Sequence, residues 1–185
     1  ISADDLTSQW KKKLQNELSL FKPDLVGVSC TFTMNHENML EIFREVKSKD
    51  DKIVTVAGGV HVSNATEMVL KASNDIDFAN TYEGEKSFIE FINYINTKEN
   101  FEKVSQISFL KDQDLREIKK KDPPDQDSLN VIPDYGDLNI SELTNIGEIG
   151  TFRYWRPKDS KGSAVLSNKG CRARCSFCSV RNFNG

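Results

Sequence analysis

Short apolar runs alternate with amphipathic stretches between residues 24 and 96, and this alternation restricts the fold more than any other feature of the chain. "DLVGVSC" (24–30) and "KIVTVAGG" (52–59) are nearly continuous in apolar, largely β-branched residues, as in strands buried on both faces. "IDFANTYEGE" (76–85) gives a third, weaker strand. Between and after them lie helical periods: about 35–48 (Met39, Leu40, Phe43, Val46), 64–73, and 85–96 (Phe88, Phe91, Ile92, Ile95). Asn64 is expected to cap the second of these, with Glu67 three residues on. A helix over 4–21 comes first, with Leu6, Trp10, Leu14 and Leu18 spaced by four, and Pro23 ends it. Strands and helices at this spacing predict right-handed βαβ units in a parallel, doubly wound α/β sheet. Such sheets bind ligands outside the carboxyl ends of their strands, which directs attention to residues 29–33, 58–63 and 82–85.

The remainder has a different character. "VSQISFL" can supply a short strand, but residues 98–150 are otherwise charged and carry Pro123, Pro124 and Pro133, so a solvated linker is expected there. Residues 151–185 are basic, and "SAVLSNKG" (163–170) reads as a strand leading into a cysteine loop. The expected division is 1–97, 98–150 and 151–185. A net charge of −3 and the lack of interleaved aromatics beyond Phe152, Tyr154 and Trp155 give no clear nucleic-acid signal. No apolar run is long enough to span a membrane, and the start "ISADDLTSQW" has no secretory pattern. The chain begins at Ile1 without a Met and stops seven residues after Cys178, so both ends are expected to be cuts.

"GCRARCSFC" (170–178) places Cys171, Cys175 and Cys178 within nine residues. Thiolates are soft ligands for iron–sulfur clusters, zinc or Cu(I), and the setting fits a reducing, cytoplasmic compartment better than a disulfide scaffold. Three thiolates can hold three corners of a [4Fe–4S] cube and leave one iron open. Arg172, Arg174 and Arg181 would help keep them ionised and offset the cluster's charge. A zinc site completed by a distant fourth ligand is the plainer alternative, and Cys30, at a buried strand end, reads as a small core residue.

"CRARCSFC" resembles the C-x3-C-x-aromatic-C motif of the radical S-adenosylmethionine (SAM) enzymes, and "VLSNKG" resembles the strand that enters it. The resemblance implies a [4Fe–4S] cluster on Cys171, Cys175 and Cys178, with SAM on the fourth iron and Phe177 near its adenine. It also implies the first strand of a partial (β/α) barrel, reductive cleavage of SAM to a 5′-deoxyadenosyl radical, and an electron donor to reduce the cluster.

The stretches "PDLVGVSCTFTMN", "VAGGVHVSNATEMVL" and "IDFANTYEGEKSFIEFI", with "LNVIPDYGDL" behind them, resemble the subclass that carries an N-terminal cobalamin (B12)-binding domain. That implies a flavodoxin- or Rossmann-like sheet, incomplete here at its N-terminus, with cobalamin at the strand ends. Gly58 and Gly59 would give its nucleotide tail room, Ser29 and Thr33 would offer hydroxyls, and Glu83 with Gly84 would close the pocket. Each has an ordinary alternative, since Gly pairs end strands and Ser or Thr cap helices. No Asp-x-His-x-x-Gly loop is present to supply a cobalt ligand: His36 is expected to face solvent, and His61 is poorly placed for cobalt. The function expected is methylation of an unactivated carbon of a small-molecule substrate. Oxidative cyclisation or rearrangement is one alternative, and a non-catalytic cobalamin module with a zinc-bound cysteine tail is another. A methylthiotransferase-like enzyme would need three more cysteines in the sheet domain, where only Cys30 stands.

Overall fold

The computed structural model describes residues 3–99, 101–119, 134, 136, 170–178 and 180, with side chains from residue 9 onward. Its elements are α1 (Ala3–Phe21), β1 (Leu25–Ser29), α2 (His36–Lys49), β2 (Val54–Gly58), α3 (Val60–Asn64), α4 (Thr66–Ala72), β3 (Phe78–Asn80), α5 (Ser87–Thr97), β4 (Ile107–Lys111) and β5 (Asp114–Ile118). The expected strand at 163–170 falls outside the described residues, apart from Gly170.

The strands form one sheet in the order β1-β2-β3-β4-β5. The pairs β1·β2 and β2·β3 are parallel, as βαβ units require; β3·β4 and β4·β5 are antiparallel. Strand pleating sends alternate side chains to opposite faces. On one face Val28, Ala57 and Ala79 meet Met39, Leu40 and Phe43 of α2, Val62 of α3, and Val69 and Leu70 of α4. On the other, Leu25, Val54, Val56, Phe78 and Ile107 meet Phe88, Phe91 and Ile95 of α5. The sheet is doubly wound. Helix α1 lies outside this sandwich on α2, where Leu18 packs with Val46 and Ile53, and Gln15 Nε2 donates to the Glu45 carbonyl at 2.8 Å.

The amino ends of β2 and β3 are tied by a half-buried polar knot. Asp77 Oδ2 accepts from the Thr55 N–H at 2.8 Å and from Lys47 Nζ at 2.7 Å, and the Asp77 N–H donates to Thr55 Oγ1 at 3.0 Å. Thr55 is fully buried, so these bonds satisfy polar groups that water cannot reach.

Three details differ from the sequence reading. The stretch expected as linker adds β4 and β5 to the sheet through Ile118. Its charges misled: Asp112 and Gln113 both take the positive φ that a two-residue type I′ hairpin needs, and the charged side chains of β5 stay exposed. Asn64 is not a cap. It ends α3, its Nδ2 donating to the Val60 carbonyl at 2.8 Å, and α4 starts afresh after Ala65. Strand β1 is half-exposed rather than buried on both faces, because β2 is its sole partner among the described residues.

Ile107 of β4 has no exposed surface and packs with Val56, Phe91 and Val104. Ile107→Ala should therefore cost about 2–4 kcal/mol in urea unfolding of this chain, as a core truncation does. A loss below about 0.5 kcal/mol would mean that the hairpin is not part of the folded unit.

Candidate functional site

A cleft of about 620 Å³ opens at the carboxyl ends of β1, β2 and β3. Its volume lies within the usual range of small-ligand sites, roughly 300–1,000 Å³. Strand β1 contributes Gly27, Val28 and Ser29; the end of β2 contributes Gly58 and Gly59; the segment after β3 contributes Tyr82, Glu83, Gly84 and Glu85. Asn80 is also in the lining, and Phe88 and Ile89 of α5 form an apolar side.

The turn after β2 governs the rim. Gly59 has φ 97°, and a β-carbon built on it would sit 2.6 Å from the Cys30 carbonyl oxygen. Only glycine allows the two strand ends to come this close. The approach lets the Cys30 N–H donate to the Gly58 carbonyl at 2.8 Å and the His61 N–H to the Cys30 carbonyl at 3.1 Å. Ser63 then links the second loop to the third: its hydroxyl donates to the Gly59 carbonyl at 3.0 Å and accepts from the Tyr82 N–H at 2.7 Å. Beneath the third loop, Asn80 Nδ2 donates to Ser87 Oγ at 3.0 Å.

Of the sequence-selected cofactor residues in this domain, Ser29, Gly58, Gly59, Glu83 and Gly84 all line the one cleft. Thr33 is not in the lining. Its Oγ1 lies 3.1 Å from Nδ1 of His61, whose Nε2 lies 3.0 Å from Nδ1 of His36. His61 is 5 % exposed, and both of its ring nitrogens are committed to these partners. His36, expected to face solvent, is half-buried with its ring edge against His61 at a centroid distance of 5.1 Å. The chain has two histidines, and they bond to each other. Cys30 is a buried core residue whose Sγ donates to the Phe32 carbonyl at 3.3 Å, and burial pushes its thiol pKa up.

Sequence reasoning missed Gly27, Asn80, Phe88 and Ile89. Gly27 carried a signal: a glycine inside a strand often marks a site where something approaches the backbone closely. Asn80 carried a weaker one, as a polar residue closing a buried strand. Phe88 read only as a helix core position, and Ile89 was not singled out.

In the cysteine loop, Gly170 has φ 81°, and the Cys178 N–H donates to the Cys175 carbonyl at 3.2 Å, closing a turn through Ser176 and Phe177. The thiols of Cys171, Cys175 and Cys178 are free and exposed, and Phe177 is 91 % exposed. Among the described residues no three His, Cys, Asp or Glu side chains stand together as metal ligands. The case for the three cysteines therefore rests on their spacing. Among the described residues no helix is long and apolar enough to cross a membrane.

A doubly wound sheet with a glycine-floored cleft at its carboxyl edge defines a nucleotide- or cofactor-binding class of domain. Residues 3–92 match the B12 binding domain family. The chain is similar to an uncharacterised methyltransferase of Pyrococcus horikoshii, at 23 % identity over 96 % of this chain and 35 % of that one. It is also similar to the anaerobic magnesium-protoporphyrin IX monomethyl ester cyclase of Rubrivivax gelatinosus, at 25 % over 99 % and 32 %. A third relative is the cytidylyl-2-hydroxyethylphosphonate methyltransferase of Streptomyces wedmorensis, at 22 % over 100 % and 36 %. The chain thus spans about a third of the length of these relatives. Among solved structures, the radical SAM methyltransferase TsrM of Kitasatospora setae, in a form with cobalamin and a [4Fe–4S] cluster bound, shares the fold. Its TM-score is 0.55, with 18 % identity, over 64 % of this chain and 22 % of that one. Residues 3–92 thus carry the match to the B12 binding domain family on a doubly wound sheet, the fold that TsrM shares.

Two predictions arise from this geometry. Gly59→Ala should lower stability by about 2–3 kcal/mol, since it combines a positive φ with a backbone clash. Gly58→Ala, whose β-carbon would meet nothing nearer than the Asn80 carbonyl at 3.6 Å, should stay within about 0.5 kcal/mol. Equal losses in thermal or urea melts would refute the distinction. The second concerns acid. Burial, and then the neighbouring His36 charge, hold the His61 pKa below its ordinary 6.5. As pH falls through 6.5 the unfolded chain takes up this proton before the folded one does, so the His61 contribution is intact above that pH and lost below it. The fall in melting temperature between pH 7.5 and 5 should be shallower in His61→Asn than in the parent; parallel curves would refute the assignment.

Proposed function

We propose that this chain is the cofactor-bearing part of a cobalamin-dependent radical SAM enzyme. The observation that carries the reading is the convergence of Ser29, Gly58, Gly59, Glu83 and Gly84 on one cleft of a B12-binding domain, in a chain that also carries C-x3-C-x2-C. The residues suit cobalamin. The Gly58–Gly59 turn brings backbone rather than side chains to the cleft, its walls are largely apolar, and Glu83 and Glu85 are suitable acceptors for the amide N–H groups around a corrin ring. With both histidines committed elsewhere, nothing in the cleft is an imidazole ligand for cobalt. Cobalamin, a [4Fe–4S] cluster and SAM together supply a 5′-deoxyadenosyl radical and a transferable methyl group.

The chain's own residues bind and orient. Ser29 offers its hydroxyl at the cleft mouth, the glycine turn fixes the depth of approach, and Phe88 and Ile89 keep water from one side. Cys171, Cys175 and Cys178 would hold three irons of the cluster, with Phe177 placed by sequence beside the last of them. An external electron donor would reduce that cluster, and a small molecule would be the substrate. The division that fits is a cofactor unit from residue 3 through Ile118, a connecting segment, and the start of a radical SAM domain within 151–185. Methyl transfer is the favoured reaction, since two of the three relatives named above are methyltransferases, and an unactivated carbon is the acceptor we favour from the sequence resemblance. Similarity to the magnesium-protoporphyrin ester cyclase favours oxidative ring closure as the second reading.

Anoxic reconstitution of the chain with iron and sulfide should give a brown protein with about four irons. Aquacobalamin should bind with a shift of its visible spectrum. Cys175→Ala should lose the iron and keep the cobalamin. One zinc with no iron would sink the cluster assignment, and wild-type protein that leaves the aquacobalamin spectrum unchanged would sink the cleft assignment.

A further inference from the structure

Gln106 stands just before β4, beyond the residues that match the B12 binding domain family. Its backbone is left-handed, with φ 60°, a conformation glycine takes freely and a side chain disfavours. It is also 7 % exposed. A buried side chain in a strained backbone points to a task for that side chain.

The amide is spent on one loop. Gln106 Nε2 donates to the Glu83 carbonyl at 2.7 Å and to the Thr81 carbonyl at 2.8 Å, and lies 3.3 Å from Ser87 Oγ. The Gln106 carbonyl in turn accepts from the Thr81 N–H at 2.9 Å and the Thr81 hydroxyl at 3.2 Å, while its own N–H donates to Ile118 of β5 at 2.8 Å. One residue therefore joins the hairpin to the segment Thr81–Gly84 through side chain and backbone together. That segment is itself strained, since Tyr82 has φ 62°. It also forms the third wall of the cleft, through Tyr82, Glu83 and Gly84.

We propose that Gln106 is a positioning residue for the cofactor cleft: by gripping the Thr81 and Glu83 carbonyls it holds Glu83 and Gly84 in the wall, and cobalamin affinity depends on that grip. The affinity half rests on the cobalamin reading above; the loop-holding half does not. A glycine at 106 would suit the backbone better and would have no amide, so fold and grip can be separated by substitution.

The test uses the whole chain and two measurements: titration with aquacobalamin, and hydrogen–deuterium exchange of Tyr82–Glu85 without ligand. Gln106→Gly relieves the left-handed strain but removes the amide from two carbonyls, so the chain should stay folded with a modestly lowered melting temperature. Exchange in that segment should speed, and aquacobalamin binding should weaken by about tenfold, the worth of one or two buried hydrogen bonds. Gln106→Glu, which turns a donor toward an acceptor against two carbonyls, should weaken binding further; if it does not fold, Gln106→Gly decides alone. Unchanged exchange and unchanged affinity in a stable Gln106→Gly protein would overturn the inference. Wild-type protein that takes up no aquacobalamin would overturn the cofactor reading and the affinity half with it, while exchange still decides whether Gln106 holds the loop.

Discussion

The turn after β2 comes closer to the carbonyl of Cys30 than any residue with a β-carbon could, and the cleft rim hangs from that approach. With φ at 97° and 2.6 Å between a would-be β-carbon and that oxygen, position 59 accepts glycine alone. Because the two strand ends can touch, the Cys30 N–H and carbonyl both find partners across the gap, and α3 starts directly from the turn. Because α3 starts there, Ser63 falls where its hydroxyl can reach both the Gly59 carbonyl and the Tyr82 N–H. Three loops from three strands become one surface through that chain of contacts. Moving the turn outward by the width of a methyl group would uncouple all of them.

The opposite ends of the same strands are held by different chemistry. Asp77, Thr55 and Lys47 make a charge-assisted polar knot where β2, β3 and the end of α2 meet. A carboxylate accepting a backbone N–H and an ammonium is among the stronger arrangements available to a half-buried site. The ligand-facing ends are tied mainly by neutral hydrogen bonds and close packing. The division is physically sensible: the charge-assisted ties sit at the end remote from the cleft, while the carboxylates at the cleft, Glu83 and Glu85, line it.

Much of this was legible in the sequence. Strand–helix alternation gave the doubly wound sheet, and the rule that ligands bind at carboxyl ends selected the loops that form the cleft. Gly59 was legible as one of a glycine pair ending a strand, because no other residue type suits a close backbone crossing; Gly58 has room for a β-carbon. Thr33 stands outside the cleft lining because spacing along a chain does not say which way a hydroxyl turns; i and i+4 imply one face only if the segment is helical throughout, and Thr33 lies in a 3-10 turn ahead of α2. The hairpin after residue 97 was hidden by its composition. A surface hairpin at a sheet edge carries charge on its exposed positions, as a linker does, and only Val104, Ile107 and Ser108 are fully buried there. Gln106 left no trace at all, since a left-handed backbone at a glutamine is set by tertiary hydrogen bonds and not by local preference.

The histidine pair bears on what the cleft can do. Between Thr33 and His36, His61 has a partner on each ring nitrogen, and neutral imidazole has one donor and one acceptor to offer. The chain of contacts can therefore run in either direction but is complete in both, and it joins the loop after β1 to the helix after β2. Using either nitrogen as a metal ligand would strip a bond from a ring that is nearly fully buried, at the full desolvation cost of the group left behind. A ligand in the cleft would thus meet backbone, hydroxyl, carboxylate and apolar groups and neither imidazole. The shape of that cleft depends in turn on the residues that tie its walls together, Ser63 through the Gly59 carbonyl and Tyr82 N–H, and Gln106 through the Thr81 and Glu83 carbonyls.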